Sequence, residues 1–253
     1  MPLLLFLTMK HPLTILCLLC ALTAPLAASD VVILLHGLAR TSSSMEKMAD
    51  TLTTEGYVVH NLDYPSRHQS IETLATMVRA QVAAATESDD TIHFVTHSLG
   101  GIIVRTIQKE SALENIGHVV MLSPPNQGSE LVDTLGDYSA FGWINGPAGD
   151  QLGTDINGFI AKLGPVDFPL CVITGDRSIN GINSCIIPGD DDGKVSIESA
   201  KVEGMDAYKV IHATHPYIMK NKEAIALTVE FLKTGALAAP STSKPKDSST
   251  TAQ

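Results

Sequence analysis

The hexapeptide Thr96–Gly101, with the sequence Thr-His-Ser-Leu-Gly-Gly, constrains the fold of this chain more than any other segment. The apolar run Thr91–Val95 precedes it, and the amphipathic run Ile102–Ile107 follows it. This order predicts a strand, a sharp turn with Ser98 at its apex and a helix, the arrangement of a nucleophile elbow. Gly100 provides the small residue that allows such a helix to pack against the strand.

One position departs from the usual G-x-S-x-G pattern of an elbow. Thr96 stands where that pattern has glycine, and a β-branched residue is expected to crowd the turn. The hexapeptide alone therefore leaves two interpretations open: an elbow, or an ordinary strand-to-helix turn in which Ser98 only caps the helix.

Strand and helix patterns alternate along the rest of the chain. Apolar runs that indicate buried strands occupy Asp30–Leu38, Tyr57–Leu62, His118–Ser123, Leu170–Gly175 and Tyr208–Ile211. Helical patterns separate them at Ser44–Gly56, Ile71–Glu87, Leu99–Glu114 and Lys220–Thr234. This alternation predicts an α/β fold with a doubly wound, mostly parallel sheet of about six strands.

The first 29 residues have the pattern of a secretory signal peptide. Lys10 precedes the apolar stretch Pro12–Leu22, and small residues at Pro25–Ser29 offer a cleavage site. Met9 is an alternative start, because it gives a more compact charged opening. A membrane anchor is the competing interpretation, but the apolar stretch is shorter than the ~20 residues that a bilayer requires. We therefore expect a secreted or periplasmic protein.

Composition bounds the rest of the domain organisation. Residues 30–234 suit one folded domain, whereas residues 235–253 contain too few apolar side chains to fold and are predicted to be disordered. Without Lys10 the chain has 16 basic and 27 acidic residues, a formal charge of −11. Such a charge argues against nucleic acid as a partner, and it requires any transient contact with a membrane or lipid to be apolar.

Several ordered motifs between Asp30 and Thr234 resemble those of the α/β-hydrolase superfamily, most closely its small bacterial lipases and esterases. Besides the hexapeptide they are His36-Gly37-Leu38, Asp63-Tyr64-Pro65-Ser66, Ser123-Pro124-Pro125-Asn126-Gln127-Gly128-Ser129, Asp192-Gly193-Lys194-Val195 and Thr214-His215. The resemblance implies a minimal α/β-hydrolase core and a triad in the chain order serine, acid, histidine. It implies no cofactor and no metal.

The resemblance assigns roles to individual residues. Ser98 is the expected nucleophile, and His215 is the expected base, with His212 as its competitor. Asp192 is the favoured acid and Asp176, directly after a strand, is the alternative acid; the run Asp190–Asp192 could also be a solvated turn. The backbone N–H groups of Leu38 and Leu99 are the expected oxyanion hole. His36 and His97 are expected to orient the backbone near the site.

Residues 130–164 form an expected lid-like insertion. Tyr138, Phe141 and Trp143 lie there with several glycines, which is typical of a lid or an acyl pocket at the carboxyl edge of a sheet. The same aromatic side chains could instead be core beneath a long loop. The natural substrate therefore stays open.

Export would leave Cys171 and Cys185 as the cysteines of the mature chain. An even pair in an oxidising compartment predicts a disulfide, which would stabilise the segment before Asp192 by roughly 3 kcal/mol on the chain-entropy model. Two buried free thiols are the alternative.

Together these features predict a serine hydrolase that cleaves a small-molecule or lipid ester through an acyl-enzyme. An acyltransferase with the same triad is one alternative, and a catalytically silent binding protein of the same fold is another.

Overall fold

A computed structural model describes residues 29–135 and 146–238 of the chain. The predicted signal peptide, apart from Ser29, and the predicted tail beyond residue 238 lie outside these ranges. Tyr138, Phe141, Gly142 and Trp143 of the expected insertion also lie outside them. The described residues 235–238 follow the last helix, where Gly235 adopts a left-handed conformation and its N–H donates to the carbonyl oxygen of Phe231 at 2.8 Å.

A parallel sheet of six strands forms the centre of the described structure, as predicted. Its strands are β1 (Asp30–Leu35), β2 (Val58–Leu62), β3 (Thr91–His97), β4 (Ile116–Leu122), β5 (Leu170–Gly175) and β6 (Ala207–Ile211). They lie in the order β2-β1-β3-β4-β5-β6, and every neighbouring pair is parallel. The order reverses around β1 and β3, which places the end of β3 at the topological switch point where α/β proteins bind ligands.

Helices cover both faces of this sheet. The helices are α1 (Glu46–Thr54), α2 (Ile71–Ala85), α3 (Leu99–Ser111), α4 (Glu130–Leu135), α5 (146–150), α6 (Phe159–Leu163), α7 (Gly181–Ile186) and α8 (Lys222–Thr234). Two 3₁₀ segments, Ser42–Met45 and His215–Lys220, precede α1 and α8. Among the described residues no helix is both long enough and apolar enough to cross a bilayer.

Alternate residues of each strand enter two separate hydrophobic clusters. In β1, Val31, Ile33 and Leu35 pack on the face covered by α2 and α3, whereas Val32 and Leu34 pack on the face covered by α1 and α8. A strand that is buried on both faces has to be apolar throughout, which explains why the sequence reads as uninterrupted apolar runs.

The predicted disulfide between Cys171 and Cys185 is wrong, because the structure has both as free cysteines. Cys171 is the second residue of β5 and is buried in the cluster beneath α1 and α8. Cys185 is exposed on α7, in the connection that follows the carboxyl end of β5. Four strand residues at about 3.3 Å each separate Cys171 from that end, so the buried thiol lies well below the exposed one.

Gly100 allows α3 to lie directly against β1. A Cβ atom at this position would lie 2.8 Å from the carbonyl oxygen of Leu35 and 3.1 Å from that of His36. Both neighbours are backbone atoms, which cannot rotate away. At Gly101 the corresponding contact, 3.0 Å, is with Sδ of Met121, in a flexible side chain.

We expect Gly100→Ala to destabilise the protein by about 1–3 kcal/mol, because the added methyl group overpacks the contact between α3 and β1. In an ordinary helix interior the same change would stabilise by about 1 kcal/mol. Urea unfolding of purified variants measures the effect, and Gly101→Ala is the matched control with a smaller expected loss. Equal or greater stability of Gly100→Ala would contradict the packing argument.

Candidate active site

Ser98 lies at the turn between β3 and α3 in a strained conformation. Its φ of 53° and ψ of −120° lie outside the regions that side-chain-bearing residues normally adopt. The backbone is held on both sides of the turn: the N–H of Ser98 donates to the carbonyl oxygen of Leu122 at 2.9 Å, and its own carbonyl accepts from Gly101 at 3.0 Å. The predicted elbow is therefore present, and Thr96 is accommodated as a fully buried residue of β3.

His215 approaches Ser98 from the loop after β6. Its Nε2 lies 3.2 Å from Oγ of Ser98, within hydrogen-bond distance. Thr214 is extended, and the 3₁₀ segment that begins at His215 has Pro216 in its first turn, so the loop turns sharply at this point. The imidazole is buried, with 5% of its side chain exposed.

Asp192 completes a chain of hydrogen bonds on the far side of His215. Its Oδ2 accepts from Nδ1 of His215 at 2.9 Å, and its Oδ1 accepts from the backbone N–H groups of Lys194 and Val195 at 3.0 and 2.9 Å. Burial raises the pKa of Asp192, but the charge and hydrogen bond of His215, together with further hydrogen bonds such as that from the N–H of Val195, hold the pKa below its ordinary value. The carboxylate therefore stays ionised and orients the imidazole.

Main-chain groups fix His215 as well. The backbone N–H of His215 donates to the carbonyl oxygen of Asp192 at 2.8 Å, and the carbonyl oxygen of His215 lies 3.0 Å from Nε2 of His97. Because a carbonyl only accepts, Nε2 of His97 has to carry the proton. Complete burial and the neighbouring positive charges hold the pKa of His97 well below its ordinary value. His97 is therefore a neutral donor that ties the elbow to the loop of His215.

The two competing candidates, Asp176 and His212, pair with each other. Oδ1 of Asp176 lies 3.0 Å from Nδ1 of His212, and the side chains are 40% and 73% exposed. The structure places neither of them against Ser98 or His215, whereas Asp192 contacts His215 directly. The geometry therefore favours Asp192 over Asp176 and His215 over His212.

A cavity of about 750 Å³ opens beside Ser98 and His215. Apolar side chains from the expected insertion, Leu131, Val132 and Leu152, line part of it. Ile179 and polar residues of the connection after β5 line another part. Such a volume is typical of a site for a small molecule. In the described ranges no group of three histidine, cysteine, aspartate or glutamate residues is placed to hold a metal ion.

Comparisons with known proteins agree with this architecture. The sequence model of the palmitoyl protein thioesterase family matches residues 31–151, slightly less than half of the chain. A lipase of Bacillus licheniformis in its mature form is 17% identical, with a TM-score of 0.61 over 81% of this chain and 93% of the lipase. An esterase of Rhodococcus is 14% identical, with a TM-score of 0.57 over 82% of this chain and 92% of the esterase.

The chain has the α/β-hydrolase fold of lipases and esterases. A phospholipase of Legionella pneumophila is also similar, at 22% identity and a TM-score of 0.57 over 68% of this chain. This chain spans 45% of the length of that phospholipase. No curated protein matches the sequence significantly. The family match and the structural likenesses agree on this fold.

The two residues expected to form the oxyanion hole, Leu38 and Leu99, lie in two different turns. Leu99 is the first residue of α3, so its N–H has no partner within the helix, and Leu38 lines the cavity. Ala39 adopts a φ of 56°, which is strained for a residue with a side chain, and its N–H donates to Oγ of buried Ser66 at 3.1 Å. The hydrogen bond to Ser66, in the segment after β2, thus stabilises the turn that carries Leu38.

A second set of contacts supports the turn that carries Leu38. The Tyr64 hydroxyl donates to the carbonyl oxygen of His36, and the two rings stack with centroids 4.1 Å apart. Nε2 of His36 lies 3.0 Å from Oδ1 of Asp63. Burial lowers the pKa of His36, and Asp63 opposes that shift only in part. His36 therefore contacts the backbone of Gly37 and Tyr64.

Sequence reasoning did not find the supporting roles of Tyr64 and Ser66. Both belong to a motif that the resemblance singles out, yet nothing in their spacing indicates that they contact the turn of Leu38. The left-handed conformation of Ala39 also gives no sequence signal, because alanine rarely adopts it. Only a residue type that favours positive φ, such as glycine, would have indicated this turn in the sequence.

Proposed function

We propose that this chain is a serine hydrolase that cleaves carboxylic esters through an acyl-enzyme, with Ser98, His215 and Asp192 as its triad. The observation that carries the proposal is the continuous chain of hydrogen bonds from Oγ of Ser98 through both ring nitrogens of His215 to Oδ2 of Asp192. A serine hydroxyl needs such a base, itself oriented by a carboxylate, to act as a nucleophile at neutral pH.

The geometry supports a two-step reaction. Nε2 of His215 takes the proton as Oγ of Ser98 attacks the ester carbonyl, and Asp192 stabilises the resulting imidazolium. The N–H groups of Leu38 and Leu99 then donate to the oxyanion, each contributing about 3 kcal/mol of transition-state stabilisation. The imidazolium returns its proton to the departing alcohol, and water, activated by the same histidine, releases the acid from Ser98.

The alternatives differ in the acceptor of the acyl group. An acyltransferase would use an alcohol in place of water on the same acyl-enzyme, so product analysis with and without added alcohol separates the two. A silent binding protein would form no acyl-enzyme at all. The complete triad geometry and the strain stored at Ser98 favour a catalyst over a binding protein.

An apolar rim around the cavity supports a lipid ester as the substrate class. We define this apolar rim as Ile156, Ile179, Ile182 and Tyr217, whose side chains are 61–85% exposed. All four lie in connections that follow β4, β5 or β6; Ile179 lines the cavity, and Ile182 lies in α7 beside the lining residue Asn183. Exposed apolar side chains near the mouth of the cavity suit transient contact with a lipid surface. The predicted signal peptide supports action outside the cytoplasm.

Ser98→Ala removes the nucleophile and is expected to lower kcat by about 10⁶-fold, the scale measured for loss of a triad serine. Hydrolysis of a chain-length series of nitrophenyl esters gives kcat, and a fluorophosphonate probe tests for covalent labelling of Ser98 in the wild type. Urea unfolding verifies that the variant is folded. A folded Ser98→Ala protein with wild-type turnover would refute the proposed triad.

Asp192→Asn should lower kcat by roughly 10³–10⁴-fold, because an amide cannot hold His215 in the correct tautomer. Asp176→Asn is the matched control, since its carboxylate pairs with exposed His212; it should change kcat by about twofold or less. The kcat of both variants for nitrophenyl ester hydrolysis distinguishes the two candidate acids. A larger loss in Asp176→Asn would make Asp176 the acid.

Ile182→Thr should reduce hydrolysis of an emulsified long-chain ester relative to a soluble butyrate ester by about five- to tenfold. Full burial of an Ile side chain contributes about 1.5–3 kcal/mol of favourable transfer free energy. Threonine would lose part of that free energy when the rim contacts a lipid surface. Val58→Thr is the matched control, because Val58 is 46% exposed at the opposite edge of the sheet. An unchanged emulsion-to-soluble ratio in Ile182→Thr would exclude a role for the apolar rim.

A further inference from the structure

Two cationic side chains, Arg40 and Lys194, line the same cavity as Ser98. Arg40 follows Leu38 by two residues, and Lys194 follows Asp192 by two residues, so each cation belongs to a turn that carries part of the proposed machinery. Neither side chain forms an ion pair or a hydrogen bond with any residue in the described part of the chain. Within the described residues both positive charges therefore line the cavity without a directly paired carboxylate.

The carboxylates near Lys194 are already engaged. Asp192 accepts from His215 and from two backbone N–H groups, as described above. Oδ1 of Asp191 accepts from the N–H of Gly193 at 2.6 Å and from the hydroxyl of Ser184 at 3.0 Å. In the described part of the chain neither carboxylate forms a direct ion pair with the ammonium group, and the charge of Asp192 acts on it without direct contact.

The two cations also act on each other. Enclosure by the cavity walls lowers the pKa of Lys194 and the charge of Arg40 lowers it further, whereas the charge of Asp192 opposes these effects only in part; the side chain remains accessible to water. Among the described residues that line the cavity, two positive side chains therefore face one carboxylate, that of Asp192. A local excess of positive charge is unexpected in a chain whose formal charge is −10, and it creates a field that attracts an anion.

We propose that Arg40 and Lys194 bind an anionic group, a phosphate or a carboxylate, carried by the ester substrate close to its scissile bond. The proposal rests on the function proposed above and narrows its substrate class. The guanidinium can bind such a group through two parallel N–H donors, and the ammonium adds a point charge. The anion can reside in the acyl part or in the leaving alcohol of the substrate.

The test compares matched esters that differ by one anionic group. In the acyl arm, 4-nitrophenyl butyrate is compared with mono-4-nitrophenyl succinate. In the alcohol arm, the butyrate ester of glycerol is compared with the butyrate ester of glycerol 3-phosphate. The measured quantity is the ratio of kcat/KM for the anionic ester to that for the neutral ester, which removes any general effect on turnover.

The variants are Arg40→Gln, Lys194→Gln, the double variant and Lys194→Glu. Lys222→Gln is the matched control, because Lys222 is an exposed lysine in the first turn of α8, outside the cavity. Fluorophosphonate labelling of Ser98 verifies that each variant retains a folded site. We expect the ratio to fall about three- to fivefold in each single Gln variant and tenfold or more in the double variant, in at least one arm.

Further results decide between this binding role and other roles. Lys194→Glu should lower the ratio below that of Lys194→Gln, and 0.5 M NaCl should lower it in the wild type through screening. Ratios equal to those of Lys222→Gln in both arms would overturn the proposal. Equal losses on neutral and anionic esters would also overturn it, since the cations would then act on the oxyanion of every substrate. Absence of both ester hydrolysis and Ser98 labelling in the wild type would instead refute the proposed function, and the inference with it.

Discussion

The strained backbone of Ser98 is the constraint on which the rest of the site depends. A residue with φ of 53° costs of order 1–3 kcal/mol and persists only where its surroundings enforce it. Here β3 is paired on both sides, with β1 and β4, and α3 is pressed against β1 through Gly100. The sheet and the helix thus fix the two ends of the turn, and the serine hydroxyl is left at the apex.

Much of the fold could be predicted from the sequence because of the burial of its strands. A parallel strand covered on both faces is apolar at nearly every position, so the run in β5, for example, is visible without an alignment. The short helices α4 to α7 gave no comparable signal, because five or six residues are too few to show a 3.6-residue period. The left-handed backbone of Ala39 also could not be predicted, because alanine rarely adopts a positive φ.

The proposed triad residues differ in how well the sequence predicts them. Ser98 and His215 lie close to strand ends, so the chain order alone brings them to one edge of the sheet. The acid was ambiguous because Asp176 follows β5 directly, whereas Asp192 lies farther along and returns only through α7 and a turn. The disulfide was predicted wrongly because cysteine count and spacing carry no information about depth in the sheet: Cys171 is buried within β5, and Cys185 lies beyond its carboxyl end.

His215 is linked to its neighbours twice, once by its ring and once by its peptide groups. In the proposed reaction the side-chain contacts of His215 with Ser98 and Asp192 would change as protons move. The hydrogen bonds from the N–H of His215 to the carbonyl oxygen of Asp192 and from His97 to the carbonyl oxygen of His215 would take no part in that transfer. These main-chain hydrogen bonds would hold both loops in place while the imidazole gains and loses its charge.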